Sequence, residues 1–144
     1  MKSERVLFFI SWILASVIMF TAFYLWHGLF LNDLSKVDHS PTYIYTVVSV
    51  VYLMMGLFVV KIYEVKLVPF LNVKPRLKGL AAGIFCGIII YFTSLVVGIR
   101  FTSKLTARDI MFDLSWQIIE QSLGGILVGF LHYLANEFRV NRAH

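Results

Sequence analysis

An all-α integral membrane protein, built as a four-helix transmembrane bundle, is the fold class this sequence predicts, and three observations predict it. Hydrophobic residues make up 59% of the chain and charged residues only 15%, with a mean hydropathy of +0.80, a balance no ordinary soluble domain shows. The apolar residues fall into four long runs, approximately 6–31, 43–63, 79–99 and 110–135, each near the roughly 20 residues needed to cross hydrocarbon. Nearly all the charges sit in the breaks between those runs. With 144 residues the four spans leave little room for a soluble part, so residues 1–144 are expected to form one domain.

Each span has its own local justification. The apolar core of the first run far exceeds the roughly 7 to 15 residues of a secretory signal, and no small-residue cleavage pattern follows, so it is expected to remain a span. Ser40-Pro41 opens the second helix, with serine as N-cap and proline at the first helical position. Between the second and third spans, Val65 to Lys78 carries Pro69, Pro75 and alternating apolar and basic residues. That segment reads either as lying along the membrane interface or as a solvated loop.

On the third span Gly79, Gly83 and Gly87 recur every four residues beside Ala82 and Cys86, and Ser94 and Gly98 extend the stripe. Small residues let helix backbones approach closely in lipid, where apolar burial gives little drive for association. Thr106-Ala107-Arg108-Asp109 resembles a capping box with Asp in place of Glu or Gln, and it opens the fourth helix, which carries its own pair, Gly125 and Gly129, near Ser122. Tight packing within the bundle is the favoured reading of these glycines, with a homo-oligomer seam as the sharper alternative. The lone Cys86 excludes an internal disulfide.

Orientation follows from the basic residues, which are retained on the cytoplasmic side of a span. Lys2, Arg5, Lys61, Lys66, Lys74, Arg76, Lys78, Arg139 and Arg142 fall on one side, and Lys36, Arg100, Lys104 and Arg108 on the other. Both termini are therefore expected to be cytoplasmic, in a bacterial inner membrane. Topology and anionic lipid head groups account for the net charge of +5, so membrane lipid is an expected partner and nucleic acid is not.

Glu120, within Trp116-Gln117-Ile118-Ile119-Glu120-Gln121, is the carboxylate deepest in any apolar run. A charge in hydrocarbon is costly, so such a residue is paired, protonated or functional. At 1.5 Å of rise per residue, Glu120 lies roughly 9 Å below the outer boundary, Tyr24 roughly 7 Å and His27 roughly 3 Å, with Ser49 and Ser94 at comparable depth. Asp109, Asp113, Trp116 and Glu120 share one helix face, and Thr21, Tyr24, His27 and Gly28 cluster on another. Turning the two faces together predicts an outward-open crevice with Glu120 at its floor.

Such a crevice would bind or transport a small polar or cationic ligand. Glu120 would be the anchoring or proton-exchanging group, His27 its titratable neighbour, Tyr24, Gln117 and Gln121 the hydrogen-bonding partners, and Trp116 and Asp113 part of the wall. A structural reading stands beside it: Glu120 holds helices together through a hydrogen bond to Gln117, Tyr24 or a serine, and His27 beside Trp26 belongs to an interfacial aromatic belt. An enzymatic reading would draw on Asp33, Asp38 and His39 with Asp109 and Asp113. Their spacing matches no standard metal signature, and no metal is expected. A third class is a non-catalytic accessory subunit docking a larger membrane partner. There is no P-loop, GxSxG elbow or GxGxxG, so no nucleotide or other cofactor is expected.

The stretch Phe23-Tyr24-Leu25-Trp26-His27-Gly28-Leu29-Phe30-Leu31 and the glycine-rich Gly124-Gly125-Ile126-Leu127-Val128-Gly129 resemble patterns in small bacterial four-span membrane proteins of the domain-of-unknown-function type. The resemblance covers the first and last spans. It implies a four-helix membrane bundle and supplies no catalytic residues.

Overall fold

The computed structural model describes residues 2–32, 40–65, 74–98 and 106–141. Four helices account for almost all of them: α1 (Lys2–Phe23), α2 (Pro41–Glu64), α3 (Pro75–Gly98) and α4 (Ala107–Asn141). All four are long and apolar enough to span a membrane. Only 28, 22, 28 and 33% of the residues in their most apolar windows are buried inside the bundle, and large apolar side chains such as Phe9, Val17, Met54, Phe92, Val96 and Met111 point outward. Exposed apolar surface on that scale belongs in lipid. The chain is an integral membrane protein of the four-helix bundle class.

The helices begin and end where local chemistry directs. Ser40 is extended and its hydroxyl accepts the Tyr43 N–H at 3.3 Å, while Pro41 takes the first helical position, where a missing N–H costs nothing. Helix α1 does not stop at Phe23 but widens into a π-helical stretch, Tyr24–Phe30. Its close is marked by the Leu31 N–H donating to the Trp26 carbonyl at 2.8 Å, five residues back, followed by Asn32 at φ 52°. Asparagine is among the few side chains that tolerate this left-handed conformation.

Helix α1 runs antiparallel to α2 and to α4, and α3 runs antiparallel to α4 in the most extensive pair. Here the glycines matter. A Cβ at Gly79 would overlap the backbone of Gly125, one at Gly83 the backbone of Gln121 and Ser122, and one at Gly87 the backbone of Gln117 and Ile118. The glycines of α3 are thus filled by α4 of the same chain, with backbone against backbone for three turns.

Helix α1 packs between α2 and α4. The Trp12 indole N–H donates to the Leu53 carbonyl at 2.7 Å, and Ser16 sits against Gly56. The apolar core comprises Ala15, Met19, Tyr52, Val59, Val60, Tyr63, Ala82, Cys86 and Val128. The end of the bundle where α1 begins and α4 finishes is held by Arg139 and Glu4, 3.7 Å apart, and by Lys61 lying 4.4 Å over the Phe8 ring.

Candidate functional site

Glu120 is the most enclosed charged side chain among the described residues, 1% exposed, and it stands beside Gln121, which is fully buried. Both lie on the part of α4 that meets α1 and α2. The carboxyl Oε1 accepts a hydrogen bond from the Tyr52 hydroxyl of α2 at 2.6 Å, within the range of a charge-assisted O–H···O bond. The Gln121 amide Nε2 reaches the same oxygen and the Met55 sulfur, each at 3.5 Å. One turn earlier on α4, the Trp116 indole N–H approaches this carboxyl without meeting hydrogen-bond geometry.

Three buried polar atoms on this stretch of α4 have no hydrogen-bond partner among the described residues: Trp116 Nε1, Gln117 Nε2 and Gln121 Oε1. Buried polar groups are ordinarily satisfied, so three in one place require a reason. No Lys, Arg or His forms an ion pair with Glu120 among the described residues. The cluster therefore holds acceptors, the Glu120 carboxyl and the Gln121 amide carbonyl, together with unsatisfied donors, the Trp116 indole N–H and the Gln117 amide, edged by the rings of Tyr52 and Trp116. Acceptors beside aromatic faces are what a compact ammonium group requires.

The remaining residues expected at the site are distributed around this core. Tyr24 is 37% exposed and packs on Tyr45 of α2 with ring centroids 6.0 Å apart. His27 is half-buried and lies 4.9 Å from Phe23, which in turn lies 5.4 Å from Tyr52. Imidazole and carboxyl are thus linked through two intervening rings rather than in contact. Asp113 is exposed and within electrostatic range of Tyr91 on α3. Thr21 and Ser49 are exposed and satisfy their hydroxyls on their own helices, at Val17 and Tyr45.

Between the far end of α1 and the start of α4, Trp26 stacks on Trp116 at 4.3 Å with the rings 14° from parallel, and Phe112 flanks it at 5.7 Å. Where the sequence predicts an open crevice, the structure has this ring stack. The acid beneath it is enclosed.

Two members of the site are not assigned to it by the sequence: Tyr52, and Trp26, which reads there only as the aromatic-belt neighbour of His27. A signal for Tyr52 did exist. It lies 11 residues into α2 and Glu120 lies 13 residues into α4, both helices starting from the same end of the bundle, so both reach roughly 17 to 20 Å down. A mid-span tyrosine at the depth of a mid-span acid is a natural partner.

Asp33, Asp38, His39, Lys36, Lys66, Arg100, Lys104 and Arg142 lie outside the described residues, as do most of the 65–78 segment and the side chain of Asp109. Among those described, no group of His, Cys, Asp or Glu is arranged to hold a metal ion. Comparison with known proteins yields no match: no family model fits the chain, and neither the curated proteins nor the solved structures include a similar one.

Proposed function

We propose that this protein binds a small cationic solute, an ammonium-bearing molecule or a proton, at the enclosed Glu120 site, and carries it across the membrane. One observation supports the reading above others: the Glu120 carboxyl and the neighbouring Gln121 Oε1 are enclosed acceptors with no Lys, Arg or His paired to them among the described residues. An acid in hydrocarbon is costly to keep unless it is used. The Trp26–Trp116 stack would be the outer closure, and Trp26 is carried on π-helical backbone, a conformation found frequently at functional positions. In the same proposal the chain ends face the cytoplasm of a bacterial inner membrane, because nine of the 13 lysines and arginines belong to that side.

A competing reading has its own observation. The Tyr52–Glu120 hydrogen bond joins α2 to α4, which otherwise touch sparingly, so the acid would be a clamp within an accessory subunit. Proteoliposomes loaded with a pH-sensitive dye separate the two. Methylammonium or a membrane potential is expected to drive proton movement through the wild type, and Glu120→Gln is expected to abolish it while remaining folded. Flux unchanged in Glu120→Gln would overturn the transport reading; a loss of folding without any wild-type flux would favour the clamp.

A further inference from the structure

Away from Glu120, at the basic end of the bundle, a groove of about 700 Å³ opens between the start of α3 and the second half of α4, lined by Lys74, Pro75, Arg76, Leu77, Leu80, Ile126 and Tyr133. Its two halves differ chemically. The rim carries Lys74 and Arg76, both exposed, and neither has a carboxylate partner among the described residues. The Arg76 guanidinium rests 4.7 Å over the Tyr133 ring and 5.3 Å over Phe130, which fixes the side chain and leaves its in-plane N–H donors available. The floor is apolar: Leu77, Leu80 and Ile126, of which Leu77 and Ile126 are 45% and 41% exposed.

Helix α3 begins at this rim. The Lys74 carbonyl accepts the Lys78 N–H at 3.0 Å, which makes Lys74 the cap and leaves the N–H groups of Arg76 and Leu77 without helical acceptors. The positive end of the helix dipole, a lysine and an anchored arginine thus converge at one place. Below it, an apolar trough continues toward the hydrocarbon. Soluble anions would use only the upper half of such a site.

We infer that this groove is a binding site for one anionic phospholipid, its phosphate held by Lys74, Arg76 and the start of α3, and an acyl chain laid along Leu77, Leu80 and Ile126. Basic pockets between transmembrane helices are known to take such head groups. The test uses the whole chain in mild detergent, with phosphatidylglycerol or phosphatidylcholine added at equal amounts and retained lipid read by native mass spectrometry. Phosphatidylglycerol is expected to be retained preferentially. Lys74→Gln and Arg76→Gln should each weaken that retention about fivefold, and together about 25-fold. Arg5→Gln, which removes the same charge from α1 outside the groove, should leave it unchanged.

Ile126→Trp, filling the trough without altering charge, should also release the lipid. Inorganic phosphate at millimolar concentration should not displace it. Retention within twofold of wild type in the double variant would overturn the inference. So would an equal loss in Arg5→Gln, which would mean diffuse attraction, or full displacement by phosphate, which would mean an anion site without lipid. All the substituted side chains are exposed, and an unchanged helical circular dichroism spectrum would exclude misfolding as the cause.

Discussion

Toward α3, helix α4 presents Ser122, Gly125 and Gly129 and lets backbone meet backbone; toward α1 and α2 it presents Trp116, Glu120, Gln121, Gly124 and His132, and contact is made by side chains. On the first face there is nothing to rearrange, because a carbonyl against a Cα has no rotamers. On the second, Met19 of α1 meets Gly124, Met55 of α2 meets Gln121, and Tyr63 of α2 meets the His132 ring at 4.6 Å. Methionine and aromatic side chains can shift without breaking a backbone contact. The difference teaches where a small membrane bundle can keep an adaptable polar site: opposite its most rigid seam, on the same helix.

Substitutions at the two faces should differ in kind. The largest effect is expected for Gly79→Leu, which drives a side chain into the Gly125 backbone; reversible unfolding in mixed detergent should show a loss of about 3 kcal/mol or more. Gly124→Ala, whose new methyl group meets only the flexible Met19 thioether chain, should cost at most about 1 kcal/mol, because alanine's better helix propensity offsets the displacement. Equal penalties at the two positions would erase the distinction drawn between the faces.

Next in size is the Tyr52–Glu120 bond. A double-mutant cycle with Tyr52→Phe and Glu120→Gln should give a coupling between about 0.6 and 1.7 kcal/mol, the average and the maximum for hydrogen bonds between membrane helices. A coupling near zero would place the tyrosine beside the acid without bonding to it. The smallest change is expected for Arg139→Gln. Its partner Glu4 is 3.7 Å away and the two side chains are 48% and 68% exposed, so stability should fall by less than about 1 kcal/mol and the fall should vanish at high salt.

Much of the architecture was legible in the residues themselves. The apolar runs set the number of helices, and the structure starts each a few residues before its apolar core, with Pro41–Glu64 and Ala107–Asn141 overrunning the expected 43–63 and 110–135 at both ends. Ser40-Pro41 marked the start of α2 because capping is a local matter of one hydroxyl and one N–H. The burial of Glu120 was legible for a similar reason: a residue deep in an apolar run has nowhere exposed to go unless it faces lipid, which its charge forbids. Its partner was harder to read, since sequence shows depth and face but not which helices become neighbours. Turning the polar faces of the first and fourth spans together overlooked that α2 brings Tyr52 to the same level. The π-helical turn was invisible as well. It carries Trp26 onto Trp116, and no residue within Tyr24–Phe30 encodes the wider winding by propensity.

The length of α4 has a mechanical outcome. At 35 residues it is about 52 Å long, well beyond the roughly 30 Å of a bilayer's hydrocarbon, whereas α2 and α3, at 24 residues each, nearly match it. If the bilayer thins, the apolar part of α4, about 110–135, exceeds it by more than that of α2, about 43–63, so α4 must lean the more. Because α3 is locked to α4 along the glycines, those two helices lean as one unit, and the strain of mismatch falls on the side-chain interface where Tyr52 reaches Glu120. Bilayer thickness is thus a handle on the acid's surroundings that requires no ligand at all.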